Sequence, residues 1–400
     1  MLRYLACASV YAEKYAASAN CVDLIRSNVE LKDPSWMTPQ LDFACHYISF
    51  LSEMGTGAVL HATLSLEQMV QSPAAAFKTC NQALVKLIQA APQSCAEAVK
   101  LYFLLISHTD TMQSPYSENG VKVAQGSVAM LEALLAVAHQ TCSDDVVDEA
   151  LGFLLDDTVN SGLLACQAEY RQAYNLVFNA GTLMFTDGQF HLATKFFQCS
   201  VDFQANSTPA LPDSSTSDPG RAKLLRLQAR CQLESGLVDD ALACVATVEA
   251  LESPASPSTL LLKLRALLHM DDKHVDVLQL LQQLVAFKDP DYLIAAIRQT
   301  ELSQNHEAAA TCYLELDLII QQSGVDDVQS HALKEMELLV FRLAVFHTLE
   351  AYNKNDADVS KDNVTVVVGK LLQRLTERLK TAEKNLLTAA NGEYFAGVVR

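Results

Sequence analysis

The chain has 400 residues and a net charge of −18, from 29 basic and 47 acidic side chains, and half of its residues are hydrophobic. An acidic surface repels a phosphate backbone, which argues against direct nucleic-acid binding and favours basic segments of other proteins as partners. Only 14 Gly and 11 Pro are present, too few for the many turns of an all-β protein, so the composition favours helices.

Helical periodicity of apolar residues dominates the first 160 residues. The apolar N-terminal stretch is interrupted by Glu13 and Lys14, so we interpret it as a first helix and not as a signal peptide. Short polar stretches separate the segments, which makes successive helices antiparallel neighbours. No apolar run is expected to reach the about 18 residues that span a bilayer, so no membrane contact is predicted. The predicted helices are 2–18, 38–54, 61–71, 75–91, 94–107, 119–140 and 143–155.

The segment 174–203 carries a regular spacing of small and aromatic residues. Gly181, Gly188, Ala193, Phe197 and Ser200 follow one another at intervals of 7, 5, 4 and 3. This spacing is typical of a tetratricopeptide unit, in which two helices, A and B, cross at small residues. We predict that Gly181 and Ala193 lie at the crossing, that Phe197 fills the space beside it, and that Gly188 lies in the turn.

The next segment repeats this pattern. Ala229, Gly236 and Ala241 again stand at intervals of 7 and 5, and Ala241 follows Ala193 by 48 residues. A tetratricopeptide unit has about 34 residues, so the excess requires an insertion. Residues 205–220 are rich in Ser, Thr, Pro, Asp and Gly and are predicted to form this insertion as a flexible loop between two repeats.

Two weaker units follow, and the second has Ala296 and Ala308 at the small-residue positions. The sequence therefore predicts an all-α fold, a tetratricopeptide-like helical-repeat solenoid of antiparallel helix pairs. We expect divergent N-terminal repeats in 1–160 and recognisable repeats in 161–350. Residues 351–400 are expected to form a C-terminal helix that begins further repeats.

No sequence motif indicates catalysis. The chain has no phosphate-binding loop, no H-E-x-x-H and no G-x-S-x-G, and its 10 His are dispersed. The 11 Cys form no C-x-x-C pair and are predicted to be reduced, mostly buried thiols. We therefore predict a protein without catalytic residues, cofactor or metal, which acts by binding other proteins.

Three blocks in the second half of the chain stand in a distinctive order: YNLVFNAGTLMFTDGQFHLATKFFQCSVDF, RAKLLRLQARCQLESGLVDDALACV and STLLLKLRALLHM. Over about 165–350 the chain resembles the meiotic tetratricopeptide scaffold family known as Zip-four, sporulation protein twenty-two and testis-expressed protein eleven. The residues that carry the resemblance are Tyr174-Asn175, Gly181, Phe185, Ala193, Phe196-Phe197, Ser200, Leu227, Ala229, Ala241 and the Leu-rich stretch 260–268.

The resemblance implies a nuclear, chromosome-associated scaffold that promotes crossover formation and synapsis by bridging meiotic recombination and synapsis factors. The residues alone leave open a general tetratricopeptide adaptor, such as a co-chaperone or a cell-cycle complex subunit, which would be cytoplasmic. A co-chaperone would need a clamp of Lys, Arg and Asn, which Asn175, Asn179, Arg226 and Arg230 supply only in part. A helical domain of an enzyme is the third alternative, which a cluster of perturbed titratable groups in a pocket would favour.

Overall fold

The computed structural model describes residues 2–32, 37–108, 118–207, 219–252, 254–270, 273–322, 330–354, 365–377 and 380. Every regular element within these ranges is a helix, and the predicted all-α fold of tetratricopeptide-like antiparallel helix pairs is confirmed. The helices are α1 (Leu2–Tyr11), α2 (Tyr15–Lys32), α3 (Pro39–Thr56), α4 (Val59–Gln71), α5 (Phe77–Ala90), α6 (Cys95–His108), α7 (Glu118–Thr141), α8 (Asp144–Leu155), α9 (Asp157–Ala165), α10 (Gln167–Thr186), α11 (Phe190–Ser207), α12 (Pro219–Glu234), α13 (Val238–Leu251), α14 (Pro257–Leu267), α15 (His274–Val285), α16 (Pro290–Leu302), α17 (His306–Gln322), α18 (Ser330–Lys354) and α19 (365–377).

The chain divides into two compact units. Unit 1 comprises Met1–Ser215 and Pro219–Ser235, and unit 2 comprises Thr216–Asp218 and Gly236–Arg400. Helices α1 to α12 thus belong to unit 1, and α13 to α19 belong to unit 2. The domain boundaries predicted near residues 160 and 350 remain predictions.

The first predicted helix, 2–18, is corrected by the structure into two helices, α1 and the start of α2. Glu13 adopts a left-handed backbone conformation, with φ of 58°, and the Lys14 amide donates to the Ser9 carbonyl at 2.8 Å. This closure ends α1 and reverses the chain. Apolar side chains of α1 and α2 then meet on α3, in a small core that contains Ala6, Val22, Ile25, Cys45 and Ile48.

Helix α7 overturns the expectation that no apolar run is long enough to cross a bilayer. It has 24 residues, and its most apolar window has a mean hydropathy of 1.5, so by length and composition alone it could span a membrane. However, 61% of that window is buried inside the protein, where α7 packs against α5, α8, α9 and α10. A helix surrounded by other helices is apolar on most sides, so α7 has the character of a core helix.

Successive helix pairs in unit 1 stack at a nearly constant step along the chain. Between α7 and α10, His139 Nε2 lies 2.8 Å from Asp187 Oδ2, a contact between residues 48 apart. Between α8 and α11, Lys195 Nζ lies 2.7 Å from Asp148 Oδ1, a contact between residues 47 apart. The pair α10/α11 therefore repeats the pair α7/α8, and the short helix α9 lies between the two pairs in the chain.

Two predicted segments fall partly outside the described residues. Helix α11 continues to Ser207 and α12 begins at Pro219, so the predicted loop 205–220 is helical at both of its ends, and residues 208–218 lie outside the description. Of the predicted C-terminal helix 351–400, residues 351–354 form the end of α18 and residues 365–377 form α19, while 355–364, 378–379 and 381–400 lie outside the description.

Candidate functional site

The pair α10/α11 is an antiparallel hairpin, as its end contacts show. At one end, the Tyr170 hydroxyl donates to the Phe203 carbonyl at 2.6 Å, and the two rings stack at 4.3 Å. At the other end, the rings of Phe185 and Phe190 meet edge to face at 5.4 Å. The start of α10 therefore meets the end of α11. Gly188 lies in the turn with φ of 76°, a conformation that glycine adopts without strain.

Helices α10 and α11 approach closely at Gly181. A Cβ atom on Gly181 would lie 3.1 Å from the Cβ of Phe196 and 3.1 Å from the ring of Phe197. Ala193 is fully buried one turn before Phe197, on the same side of α11. Ser200 is also buried, and its hydroxyl donates to the Phe196 carbonyl at 2.9 Å. The packing roles assigned to these residues remain predictions, to be tested by substitution.

In the second repeat, Ala229 lies in α12 and Ala241 in α13, and both are fully buried. Gly236 stands between the two helices with φ of 77°. The chain passes from unit 1 to unit 2 at this glycine, so Ala229 belongs to unit 1 and Ala241 to unit 2. The positive φ explains why glycine stands in this turn, as at Gly188.

The turn between α16 and α17 has the same hydrogen bonds as the turn at Gly188, but without glycine. Gln304 takes the left-handed conformation there, with φ of 55°. Its amide donates to the Glu301 carbonyl as Gly188 donates to Phe185, so the two turns superpose in register. By this match Ala309 corresponds to Ala193 and Ile297 corresponds to Gly181. The predicted Ala296 and Ala308 each precede these positions by one residue, and both are buried.

Helices α10 and α12 are joined by two contacts between a cation and an aromatic ring. Lys223 Nζ lies 6.0 Å from the centre of the Phe178 ring, and Arg230 Cζ lies 4.9 Å from the centre of the Phe185 ring. Both pairs join residues 45 apart, so the two helices run side by side in the same direction. We call these four residues the cation–ring face. Each such contact at an exposed site contributes about 0.5–1 kcal/mol.

Two asparagines lie beside the cation–ring face. Asn175 precedes Phe178 by three residues and Asn179 follows Asn175 by four, so the three share one side of α10. Both asparagines are exposed, and within the described residues neither side chain makes a hydrogen bond. The sequence had singled out Asn175, Asn179, Arg226 and Arg230 as partial clamp residues and Phe185 only as part of the family resemblance, and it missed Lys223 and Phe178. The equal spacing of seven residues in Phe178/Phe185 and in Lys223/Arg230 was the available signal.

An ion-pair group ties α8 to α11 on the surface of unit 1. Lys195 Nζ lies 2.8 Å from Asp144 and 2.7 Å from Asp148. Hydrogen bonds to Asp144 and Asp148 raise the pKa of Lys195, and the hydrogen bond from Lys195 lowers the pKa of Asp144. All three side chains are partly exposed to water, so this group stabilises the pairing of the helices only modestly.

A polar cluster in unit 2 was not foreseen from the sequence. His347 and His306 face each other with their Nδ1 atoms 2.9 Å apart, and the Tyr313 hydroxyl donates to Glu301 at 2.7 Å. His347 Nε2 lies 3.2 Å from the same Glu301 oxygen. Burial, followed by the hydrogen bond to Glu301, raises the pKa of Tyr313. The cluster joins α16, α17 and α18, and no group of metal-binding side chains occurs among the described residues.

Two grooves among the described residues lie away from this cluster. A groove of about 440 Å³ in unit 2 is lined mainly by apolar and amide side chains of α15 and α19, and its Lys370 pairs with Glu315 at 3.4 Å. A groove of about 590 Å³ in unit 1 lies beside the start of α4. The unit 1 groove contains the hydroxyls of Thr63 and Ser94 as well as His61 and Glu97, but within the described residues neither hydroxyl is hydrogen-bonded to the imidazole or the carboxylate, the contact that activates a nucleophile.

Burial keeps several thiols protonated. None of the 11 cysteines, all of which lie within the described residues, forms a disulfide, and burial raises the pKa of Cys80, Cys199, Cys231 and Cys312 to about 12, and that of Cys95 to about 11. The thiolate is the reactive form of cysteine, so these side chains are poor nucleophiles at neutral pH.

We therefore expect alkylation by iodoacetamide at neutral pH to discriminate between buried and exposed thiols. Cys142 is exposed and should be modified in the native protein, whereas Cys199 and Cys231 are buried and should react only after denaturation. Mass spectrometry of peptides after a short exposure measures each site. Modification of native Cys199 as fast as Cys142 would contradict the burial described here.

Comparison with known proteins gives one family and several distant structural neighbours. The model of the family described as "Meiosis protein SPO22/ZIP4 like" matches residues 163–390, more than half of the chain. No curated protein matches the chain.

Three solved structures share low similarity with the chain. BtubC (BKLC) from P. vanneervenii is 14% identical, with 60% of this chain and 91% of that one covered and a TM-score of 0.24. A circular tandem repeat protein with novel repeat topology is 10% identical, with 95% of this chain and 97% of that one covered and a TM-score of 0.33. The structure of Naa15/Naa10 bound to HypK-THB is 10% identical, with 93% and 88% covered and a TM-score of 0.24. TM-scores this low support no structural argument, so the basis for the repeat architecture is the arrangement of helices in this chain itself.

Proposed function

The chain belongs to the SPO22/ZIP4-like meiosis protein family, and on this premise we propose that it is a protein–protein interaction scaffold that promotes crossover formation and chromosome synapsis. Its partners are then meiotic recombination and synapsis factors, and its site of action is the nucleus, on chromosomes. The partners hold the contacts with DNA, because a chain with a net charge of −18 repels the phosphate backbone.

The observation that carries the scaffold proposal is the exposed side of α10 and α12, which lies inside the matched range. Helical-repeat proteins build extended binding surfaces from successive helices of one kind. Here two such helices run in the same direction and expose Asn175, Asn179, Lys223 and Arg230. These groups offer amide hydrogen bonds and positive charge, which suit recognition of a polypeptide.

We further propose that the protein turns over no substrate. The buried thiols are protonated at neutral pH, so they do not provide a nucleophile. The cluster around His347 packs at the meeting of three helices, where it serves to hold them together. On this proposal the protein acts by binding several partners at the same time, and its effect depends on how much of the protein is present.

Affinity purification from meiotic cells tests this proposal. The tagged full chain should recover crossover and synapsis factors, identified by mass spectrometry, with the same bait in extracts of mitotic cells as the control. Recovery of chaperones alone, or of the same proteins from both extracts, would instead favour the general tetratricopeptide adaptor.

A further inference from the structure

We infer that the cation–ring face of unit 1 binds an acidic, extended segment of a partner protein; the meiotic setting of this partner rests on the proposed function, whereas the chemistry does not. This binding specificity is opposite to the one that the net charge of −18 suggests for the molecule as a whole.

The first support is that the two cations of this face have no carboxylate partner. Most lysines with a resolved contact in the described residues pair with Asp or Glu, whereas Lys223 and Arg230 lie over aromatic rings. Within the described part of the chain neither forms an ion pair. Their charges therefore remain available to a ligand. The lysines that do pair with carboxylates are Lys100, Lys122, Lys195, Lys263, Lys273 and Lys370.

The second support is that the rings hold the cations in place before a ligand arrives. Lys and Arg side chains lose much rotamer freedom when they bind, and contact with a ring reduces that loss in advance. Phe178 is itself held by neighbouring rings. The centre of its ring lies 6.5 Å from the centre of the stacked Tyr174 ring and 6.0 Å from the centre of the Phe197 ring. The two positive charges are thus partly ordered before a ligand binds.

The third support is the spacing of these points. Lys223 and Arg230 are seven residues apart on α12, which places them about 10 Å apart along the helix axis. A peptide extended in the polyproline II conformation advances about 3.1 Å per residue and returns every third side chain to the same side, so carboxylates three residues apart are separated by about the same length. Arg226 lies between the two cations on the same side of α12. Asn175 and Asn179 can pair with the peptide backbone, since each amide both donates and accepts.

Nucleic acid is the competing polyanion, and the geometry disfavours it. Single strands bind through bases that stack on free aromatic faces. Here Lys223 covers one face of Phe178 and Arg230 covers one face of Phe185, so on this side of the protein those faces are not open to a base. The long-range field of an acidic chain also repels a long phosphate backbone more strongly than a short peptide.

Fluorescence anisotropy with the full chain tests the inference. The probes are a labelled Gly/Ser peptide with Glu at every third position and the same peptide with Gln instead. We expect the Glu peptide to bind at least about tenfold more tightly than the Gln peptide. The double variant Lys223→Gln/Arg230→Gln should weaken Glu-peptide binding by at least about tenfold.

The matched control is Lys100→Gln/Lys122→Gln, which removes two exposed lysine charges elsewhere in unit 1 and should leave the affinity unchanged. A charge-reversed variant, Lys223→Glu/Arg230→Glu, should prefer a peptide with Lys at every third position, which a loss of folding would not produce. Circular dichroism verifies that each variant is helical.

Three results would overturn the inference: equal binding of the Glu and Gln peptides, equal weakening by the control variant, or tighter binding of a single-stranded oligonucleotide of equal charge that is lost in Lys223→Gln/Arg230→Gln. If meiotic partners are recovered by affinity purification while the Glu peptide fails to bind, the inference falls and the proposed function stands. If the Glu peptide binds but no meiotic factor is recovered, the reverse holds.

Discussion

Replacing Gly181 with leucine is expected to lower the free energy of unfolding by about 3 kcal/mol or more. A Cβ atom added at this position would lie 3.1 Å from Phe196 and from Phe197, which are both buried. A leucine side chain extends three carbon atoms further, so α10 and α11 must separate to admit it. Separation also exposes Ala193 and Phe197, whose burial holds the hairpin together.

A series of variants isolates this effect. Gly181→Ala adds one carbon atom, and its crowding is offset by a gain of about 1 kcal/mol in helix propensity, so its net change should be within about 1 kcal/mol. Lys195→Ala removes an exposed ion-pair group and should cost no more than about 1 kcal/mol. Urea unfolding followed by circular dichroism measures all three. If Gly181→Leu unfolds at the same denaturant concentration as the parent, α10 and α11 do not cross at this glycine.

The hairpin α10/α11 could be predicted because the constraint on its residues is local. Two helices that cross closely require small residues at fixed distances from a turn, and the turn requires glycine at a positive φ. Both signals are present at Gly181, Ala193 and Gly188. The hairpin α16/α17 was predicted less well because Gln304 occupies the left-handed position. A polar residue there costs some strain, but it leaves no glycine for sequence analysis to detect.

Other close approaches left no recognisable spacing. A Cβ atom on Gly126 in α7 would lie 2.7 Å from the ring of Phe77 in α5, a tighter approach than at Gly181. Gly126 stands in a long apolar helix whose neighbours are mostly Ala, Leu and Val, so nothing distinguishes it in the sequence. Glycine is needed at position 126 because the ring of Phe77, 49 residues earlier in the chain, leaves no room for a side chain. Only the packing of α7 on α5 brings Gly126 and Phe77 together.

The cation–ring face was only half predictable for the same reason. Asn175, Asn179, Arg226 and Arg230 were recognised by their residue types on the two A helices. The pairing of Lys223 with Phe178 depends on a step of 45 residues between α10 and α12, whereas a standard repeat has about 34. The length of the insertion sets this step, and sequence periodicity does not specify how α12 is positioned after it. The cluster of His306, His347, Glu301 and Tyr313 likewise depends on three helices meeting.

On the proposed function, deletion of the gene should sharply reduce the number of crossovers per meiosis and leave mitotic growth unchanged. A scaffold acts by bringing its partners together, so its loss removes their high local concentration at recombination sites. Synapsis and fertility should fall together with crossovers, because the same partners are lost from the same sites.

The most direct measurement of the central claim is the crossover count in meiotic cells that lack the chain, compared with cells that carry a restored copy and with the mitotic growth rate of both. We expect crossovers to fall to a small fraction of the parental number, to recover with the restored copy, and to remain low with the Gly181→Leu copy. A parental crossover count in the deletion, or slowed mitotic growth with normal meiosis, would contradict the account.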